Sequence, residues 1–317
     1  MSQFFLEPLA PFRLDLTVWT LRRRPDNSVD RWDGQTYRRV MPLSAGVMDV
    51  AVTQVGPPEK PNLQVVLEGP PIRSAVKAEV SSALHRLLGL TLDLGTFYCF
   101  AARQRLLRGL AERFSGMKPP RYASVFEGVI NAIACQQLTL TVGIRLLNRL
   151  ATACGLAGSN GNATAHAFPR PADLAGVSPS LLREFGFSRQ KGRAIIELAQ
   201  SIAEGNLDLE ALDALPDAAA LDRLQHLRGV GRWTAEYVLL RGLGRVHVFP
   251  GDDVGARNNL RKWLGLAEPL DYEGVARTLH PWKRFGGLIY FHLLLGRLAE
   301  AGCVQAKSSD PALSISP

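Results

Sequence analysis

The sequence predicts an α+β fold, an antiparallel sheet with a covering helix followed by an all-helical body, and three observations predict it. Strand-like stretches separated by turn formers occupy the first part of the chain, one strongly one-sided helical pattern follows them, and from about Phe97 onward the helical period dominates. Phe12, Leu14, Leu16 and Val18 alternate with Arg13, Asp15, Thr17 and Trp19 at the two-residue period of a half-buried strand, so a strand is expected there. Further strands are expected at Thr36–Met41, Val47–Val55 and Asn62–Leu67. They are set apart by Asp33-Gly34 and Gly56-Pro57-Pro58, and together suggest a meander. Ser74–Leu88 then places Val76, Val80, Leu84, Leu87 and Leu88 on one helical face, which would cover the sheet.

In the body, amphipathic helices are expected at Ala101–Phe114, Val125–Ala134, Val142–Ala153, Ser180–Phe185 and Arg189–Ile202. Gly155–Ala165, rich in Gly, Ala, Asn and Ser, is expected to be a flexible connection. The expected division is an N-terminal α+β domain over 1–95, a helical body over 96–306 and a disordered tail over 307–317.

Composition narrows the function classes. With 317 residues, 46% hydrophobic and 21% charged, the chain can bury a sizeable core, which excludes a disordered protein. No stretch approaches the roughly 18 uninterrupted apolar residues of a membrane span, and the first ten residues lack a secretory pattern. A soluble, cytoplasmic protein with no membrane partner is expected. Lys and Arg number 37 against 29 for Asp and Glu, and the net charge of +8 favours a polyanionic partner such as nucleic acid. Cys99, Cys135, Cys154 and Cys303 lie far apart with no CxxC pair, so reduced thiols are expected. The scattered histidines form no HxxxH-type zinc pattern.

The most informative stretch runs from Leu221 to Lys262. Leu227-Arg228-Gly229-Val230-Gly231-Arg232-Trp233-Thr234-Ala235 sits between two helical patterns, and two glycines two residues apart permit a tight hairpin whose N–H groups can approach a phosphate. Eight basic and four acidic residues fall in this stretch, so it carries half of the chain's net charge. A helix–helix turn with a solvated basic face would read the same way. The stretch continues into Phe249-Pro250-Gly251-Asp252-Asp253, where an Asp after Pro-Gly suits the N-cap of a helix beginning near Val254.

GVGRWTAEYVLL followed by FPGDD resembles the helix-hairpin-helix, Gly/Pro-rich loop and aspartate of a DNA glycosylase superfamily. The hairpin falls at about 221–240, and within that superfamily the sequence is most similar to bacterial 3-methyladenine DNA glycosylase II, from the N-terminal sheet to about Arg297. The resemblance implies a TBP-like half in the N-terminal unit and a DNA-3-methyladenine glycosylase acting in base excision repair on damaged double-stranded DNA, as a monomer. By the same resemblance Asp253 is the catalytic aspartate and Asp252 its non-catalytic neighbour. Cleaving an N-glycosidic bond builds positive charge on the sugar, which a buried carboxylate can stabilise while capping its helix.

Lyase-capable members carry a hairpin lysine that forms a Schiff base, and here that position is Trp233. No lysine occurs between Gly192 and Arg261, so the resemblance implies a monofunctional enzyme that uses water and no catalytic cofactor. Cys303 has no neighbouring cysteine, so no iron–sulfur cluster is expected. Trp233, Tyr237 and Phe291 match positions lining the pocket for a flipped base, whose electron-rich faces suit cationic methylated purines. Aromatics at i and i+4 can equally fill a core.

Ala134-Cys135-Gln136-Gln137-Leu138-Thr139 is similar to a turn in the family that puts Gln137 into the gap left by the flipped nucleotide, although a solvated glutamine pair at a helix junction is the alternative. Gly229, Gly231, Arg232 and Thr234 fall at hairpin positions that bind the DNA backbone, and Gln225, Leu227 and Val230 at positions whose carbonyls hold a monovalent cation. The readings left open are a glycosylase for an oxidised or deaminated base and a non-catalytic helix-hairpin-helix DNA-binding module.

Overall fold

The computed structural model describes residues 2–158 and 165–306, so the predicted tail and most of the predicted flexible connection lie outside the described residues. Alternation of buried and half-exposed residues produces β1 (Ser2–Leu6), β4 (Gly46–Gln54) and β5 (Leu63–Glu68), with β2 (Arg31–Trp32) and β3 (Thr36–Leu43) completing one antiparallel sheet ordered β1-β5-β4-β3-β2. Consecutive strands β2 to β5 form the meander, and β1 joins its far edge with Phe4 opposite Val65. Met48, Val50, Val52, Leu63, Val65 and Leu67 turn to one face. That face is covered by α2 (Ser74–Leu88), whose Val76, Val80, Leu84, Leu87 and Leu88 are all buried, and which stops at Gly89 with φ 60°.

The strand expected at Phe12–Trp19 is a helix, α1 (Leu14–Arg22). The error has a physical cause. Leu14, Val18 and Leu21 pack on the sheet side while Leu16 and Trp19 pack into the helical body, so the helix is buried on two faces and shows no single stripe. Thr17 and Thr20 are also fully buried, with the Thr20 hydroxyl donating to the Leu16 carbonyl.

The body comprises α3 (Gly95–Ala101), α4 (Arg105–Arg113), α5 (Val125–Cys135), α6 (Leu140–Cys154), α7 (Pro171–Ala175), α8 (Pro179–Glu184), α9 (Arg189–Ala203), α10 (Asp217–Gln225), α11 (Arg232–Arg241), α12 (Val254–Leu264), α13 (Tyr272–Leu279) and α14 (Gly286–Glu300). The helix expected at Ala101–Phe114 is α4, which starts only at Arg105, and Ala101 is the last residue of a separate helix, α3. Hydroxyl caps set several starts. Ser124, Thr139 and Ser188 accept N–H groups of α5, α6 and α9 respectively. No helix among the described residues is long and apolar enough to cross a membrane.

Two devices join the N-terminal unit to the body. Arg39 on β3 is buried and bridges Asp30 and Glu127, each at 2.6 Å, and Glu127 belongs to α5. Arg241 at the end of α11 is fully buried, donates to the carbonyls of Thr20 and Leu21, and lies against the rings of Tyr122, Tyr237 and Phe291 at 5.4, 5.6 and 5.2 Å. Removing one charge from a buried triad leaves the others desolvated and unpaired. Arg39→Met should therefore cost about 3–5 kcal/mol in urea unfolding. Adding Asp30→Asn and Glu127→Gln should recover most of that loss, whereas an unchanged midpoint in Arg39→Met would refute the assigned role.

Candidate active site and nucleic-acid interface

The hairpin is built as its glycines suggest. α10 ends at Gln225, the Val230 N–H donates to the Leu227 carbonyl at 3.1 Å, and Gly229 has φ 76°. α11 then starts at Arg232 with Gly231 as an N-cap that has no side chain, leaving first-turn N–H groups for an external acceptor. The two glycines are not equivalent. A Cβ at Gly229 would meet the Ala194 Cβ at 3.1 Å in a left-handed backbone, whereas a Cβ at Gly231 meets nothing within 4 Å.

Asp253 caps α12, its Oδ1 accepting the Ala256 N–H at 2.8 Å. Its Oδ2 faces the Trp233 Nε1–H and the Tyr290 hydroxyl, each at a loose 3.4 Å. The carboxylate is half-buried at a cleft wall, not enclosed as expected. Asp252 turns the other way and accepts Arg232 Nε at 2.8 Å.

Trp233 and Tyr237 line the cleft with ring centroids 5.4 Å apart. Phe291 does not join them. It is fully buried in the body core, and its neighbour Tyr290 lines the cleft instead, because adjacent helical residues point about 100° apart. Burial, with Asp253 nearby, holds the Tyr290 hydroxyl well above its usual range, so it stays a neutral donor.

Gln137 is exposed at the cleft with φ 55°, and its neighbour Gln136 donates to the Gly229 carbonyl and the Thr234 hydroxyl, both at 2.7 Å. Thr234, expected to contact DNA, has its hydroxyl buried in that contact, which leaves only its backbone as a candidate. Arg232 is half-exposed but already engaged, paired with Asp252 and stacked 3.7 Å over Tyr272. His226 is exposed and bonds the Asp222 carbonyl.

The cleft encloses about 2180 Å³, well beyond the roughly 300–1,000 Å³ of a small-molecule pocket. Nine basic side chains line it against two acidic ones, Asp252 and Asp253. That balance suits an extended polyanion.

Several cleft residues carried no sequence signal. Arg23 comes from the end of α1, with Nη1 donating to the Tyr237 hydroxyl and Nη2 to Asn131 Oδ1, both at 2.8 Å. Among the described residues only Arg23 and Gln137 combine a side chain with positive φ, and both line the cleft. Lys191, one position outside the lysine-free interval, is also there, its Nζ donating to the carbonyls of Ala134 and Gln136 at 3.2 and 2.7 Å. Burial pulls its ammonium below the ordinary lysine range.

Residues 130–284 match the family model described as HhH-GPD superfamily base excision DNA repair protein. That segment, which holds the glycine hairpin and the Pro-Gly-Asp-Asp loop, resembles the helix-hairpin-helix DNA glycosylase superfamily. It is similar to the DNA-3-methyladenine glycosylase of Bacillus subtilis, 26% identical over 231 residues covering 73% of this chain and 76% of the relative. It is also similar to the putative DNA-3-methyladenine glycosylase YfjP of that organism, 26% identical over 92% of this chain and 96% of the relative. Among solved structures, the 3-methyladenine DNA glycosylase of Archaeoglobus fulgidus superposes with a TM-score of 0.79 at 28% identity, over 92% of this chain and 97% of that one.

The unequal hairpin glycines make a direct test of how the turn is built. Gly229→Val should lower stability by about 1–3 kcal/mol, from left-handed strain and crowding against Ala194. Gly231→Ala, with open space and φ −97°, should melt within a few degrees of the parent. Equal effects in thermal denaturation would contradict this reading of the turn.

Proposed function

We propose that this DNA glycosylase flips alkylated purines out of duplex DNA and hydrolyses their N-glycosidic bond with the help of Asp253, leaving an abasic site. The observation that carries the reading is the Asp253 Oδ2, presented to the cleft beside Trp233, Tyr237 and Tyr290. A base methylated at N3 or N7 of a purine is cationic, and each aromatic face it meets favours it by about 0.5–2 kcal/mol. As the bond from C1′ to the base breaks, its electron pair leaves on the base, which departs neutral. The positive charge passes to the sugar, where the Asp253 carboxylate stabilises it until water adds at C1′ and releases a proton. The cap fixes the carboxylate through Oδ1 and leaves Oδ2 for this work.

The basic cleft and the α11 N-terminus would hold phosphates beside the lesion, with Gln137 entering the gap that flipping opens. A monovalent cation at the turn belongs to the same reading. Of the carbonyls of Gln225, Leu227 and Val230, only that of Leu227 accepts a backbone N–H, and carbonyl oxygens are ligands for such an ion. The cation would attract phosphate to the hairpin and takes no part in bond cleavage. The chain would act as a monomer on one duplex in the cytoplasm.

A deaminated purine is the second reading. Arg23 favours it, since its buried guanidinium, bonded to the Tyr237 hydroxyl, disfavours a cationic base beside that ring more than a neutral one. Duplexes carrying single 3-methyladenine, 7-methylguanine, ethenoadenine or hypoxanthine residues, incubated with the protein and then cleaved with alkali, test both. Release of the methylated purines supports the first reading, and release of hypoxanthine alone would favour the second.

The hydrolytic route gives a second test. Trp233 cannot form a Schiff base and the Lys191 ammonium is taken up by two carbonyls, so borohydride should trap no covalent adduct and strand breaks should appear only after alkali. A trapped adduct would contradict the use of water.

A further inference from the structure

Flanking the aromatic wall, three residues after Trp233 on α11, lies a buried acid that the proposed chemistry does not use. Glu236 is 6% exposed, and its two oxygens are both committed. Oε1 accepts the Tyr272 hydroxyl at 2.6 Å and Oε2 accepts the Gly251 N–H at 3.0 Å. Gly251 stands two residues before Asp253 in the Pro-Gly-Asp-Asp loop, and Tyr272 opens α13. Two further contacts close a ring around the loop, Arg232 stacking 3.7 Å over Tyr272 and donating to Asp252.

Each member of the ring has a role in placing the loop. The Gly251 N–H is buried, and Glu236 supplies its acceptor. The Tyr272 ring lies where a Cβ on Gly251 would sit, at 2.7 Å, so the loop can approach only as glycine. Burial pushes the Glu236 carboxyl upward, while the Tyr272 and Gly251 bonds oppose that shift. Burial and Glu236 together push the Tyr272 hydroxyl up to about 12, which keeps it a donor.

We propose that Glu236, clamping the Gly251 N–H and seated by Tyr272, is a positioning residue that sets where the Asp253 carboxylate stands relative to the aromatic wall. This rests on the excision chemistry assigned to Asp253 above. α11 carries Trp233 and Tyr237 on one side and Glu236 on another, so one rigid helix holds both the base wall and the loop bearing the acid. DNA contacts at the hairpin turn lie outside the clamp, and affinity should not depend on it.

The test measures two quantities on the full chain with lesion-bearing duplex, the single-turnover excision rate at saturating protein and the Kd for an abasic-analogue duplex. Displacing a catalytic group by about 1 Å costs on the order of 100-fold. Glu236→Ala should therefore lose about 100-fold in rate with Kd changed less than about threefold. Glu236→Gln should recover most of the rate, since its amide oxygen can accept the Gly251 N–H while its NH₂ donates to the Tyr272 oxygen. Gly251→Ala, which drives the loop off the Tyr272 ring, should reproduce the rate loss, and it decides the matter if Glu236→Ala does not fold. Wild-type rates in a folded Glu236→Ala or Gly251→Ala protein, or rate and affinity falling together, would overturn the proposal. Asp253→Asn is the control. If it excises at the wild-type rate, the assignment of Asp253 itself fails, which the clamp variants alone could not show.

Discussion

The geometry of the cleft depends on one hydrogen bond, from the Ala256 N–H to Asp253 Oδ1. A helix N-terminus offers unpaired N–H groups and a partial positive charge, so an acid at the cap is held in place by the backbone itself. The same bond orients the second oxygen toward Trp233 and Tyr290, which it meets only at a loose 3.4 Å. The cap uses one oxygen of the side chain and leaves the other toward the cleft, so it does not compete with the catalytic role proposed for Asp253.

That arrangement needs the rest of the molecule to hold three helices in register. α11 supplies the aromatic wall and a start with no side-chain cap, α12 is capped by the acid, and α14 contributes Tyr290. Arg241 fixes the far end of α11 by reaching the last carbonyls of α1, and Arg39 ties the sheet to α5. The N-terminal unit is therefore part of the site. Its α1 ends at Arg23, whose left-handed backbone turns a guanidinium onto the Tyr237 hydroxyl. Strain of that kind is kept where surrounding contacts over-determine it, and here Asn131 and Tyr237 do so.

What the sequence made legible follows from how many surfaces each element buries. α2 buries one face, so its five core residues were readable from spacing alone. α1 buries two faces against different cores, and its hydrophobic pattern imitates a strand. The third aromatic was placed by resemblance one position from the residue that lines the cleft, and with most of α14 buried its periodicity offered no correction. Asp252 and Asp253 are chemically identical in the sequence, and only the backbone separates a cap from a partner of Arg232. Glu236, Lys191 and Arg23 left no local trace, since their partners are far away in the chain or are backbone groups. The glycine turn and the Pro-Gly-Asp-Asp loop were legible because their chemistry is local.

In the proposed reaction the carboxylate at position 253, and not its neighbour, stabilises the sugar. Single-turnover excision by Asp253→Asn and Asp252→Asn, on the same lesion duplex and with matched circular dichroism spectra, measures it most directly. Asparagine still caps α12, so the account predicts a loss of about 10²–10³-fold or more at position 253 from charge alone. At position 252 it predicts a loss below about tenfold, from releasing Arg232. A wild-type rate in Asp253→Asn together with an inactive Asp252→Asn would contradict it.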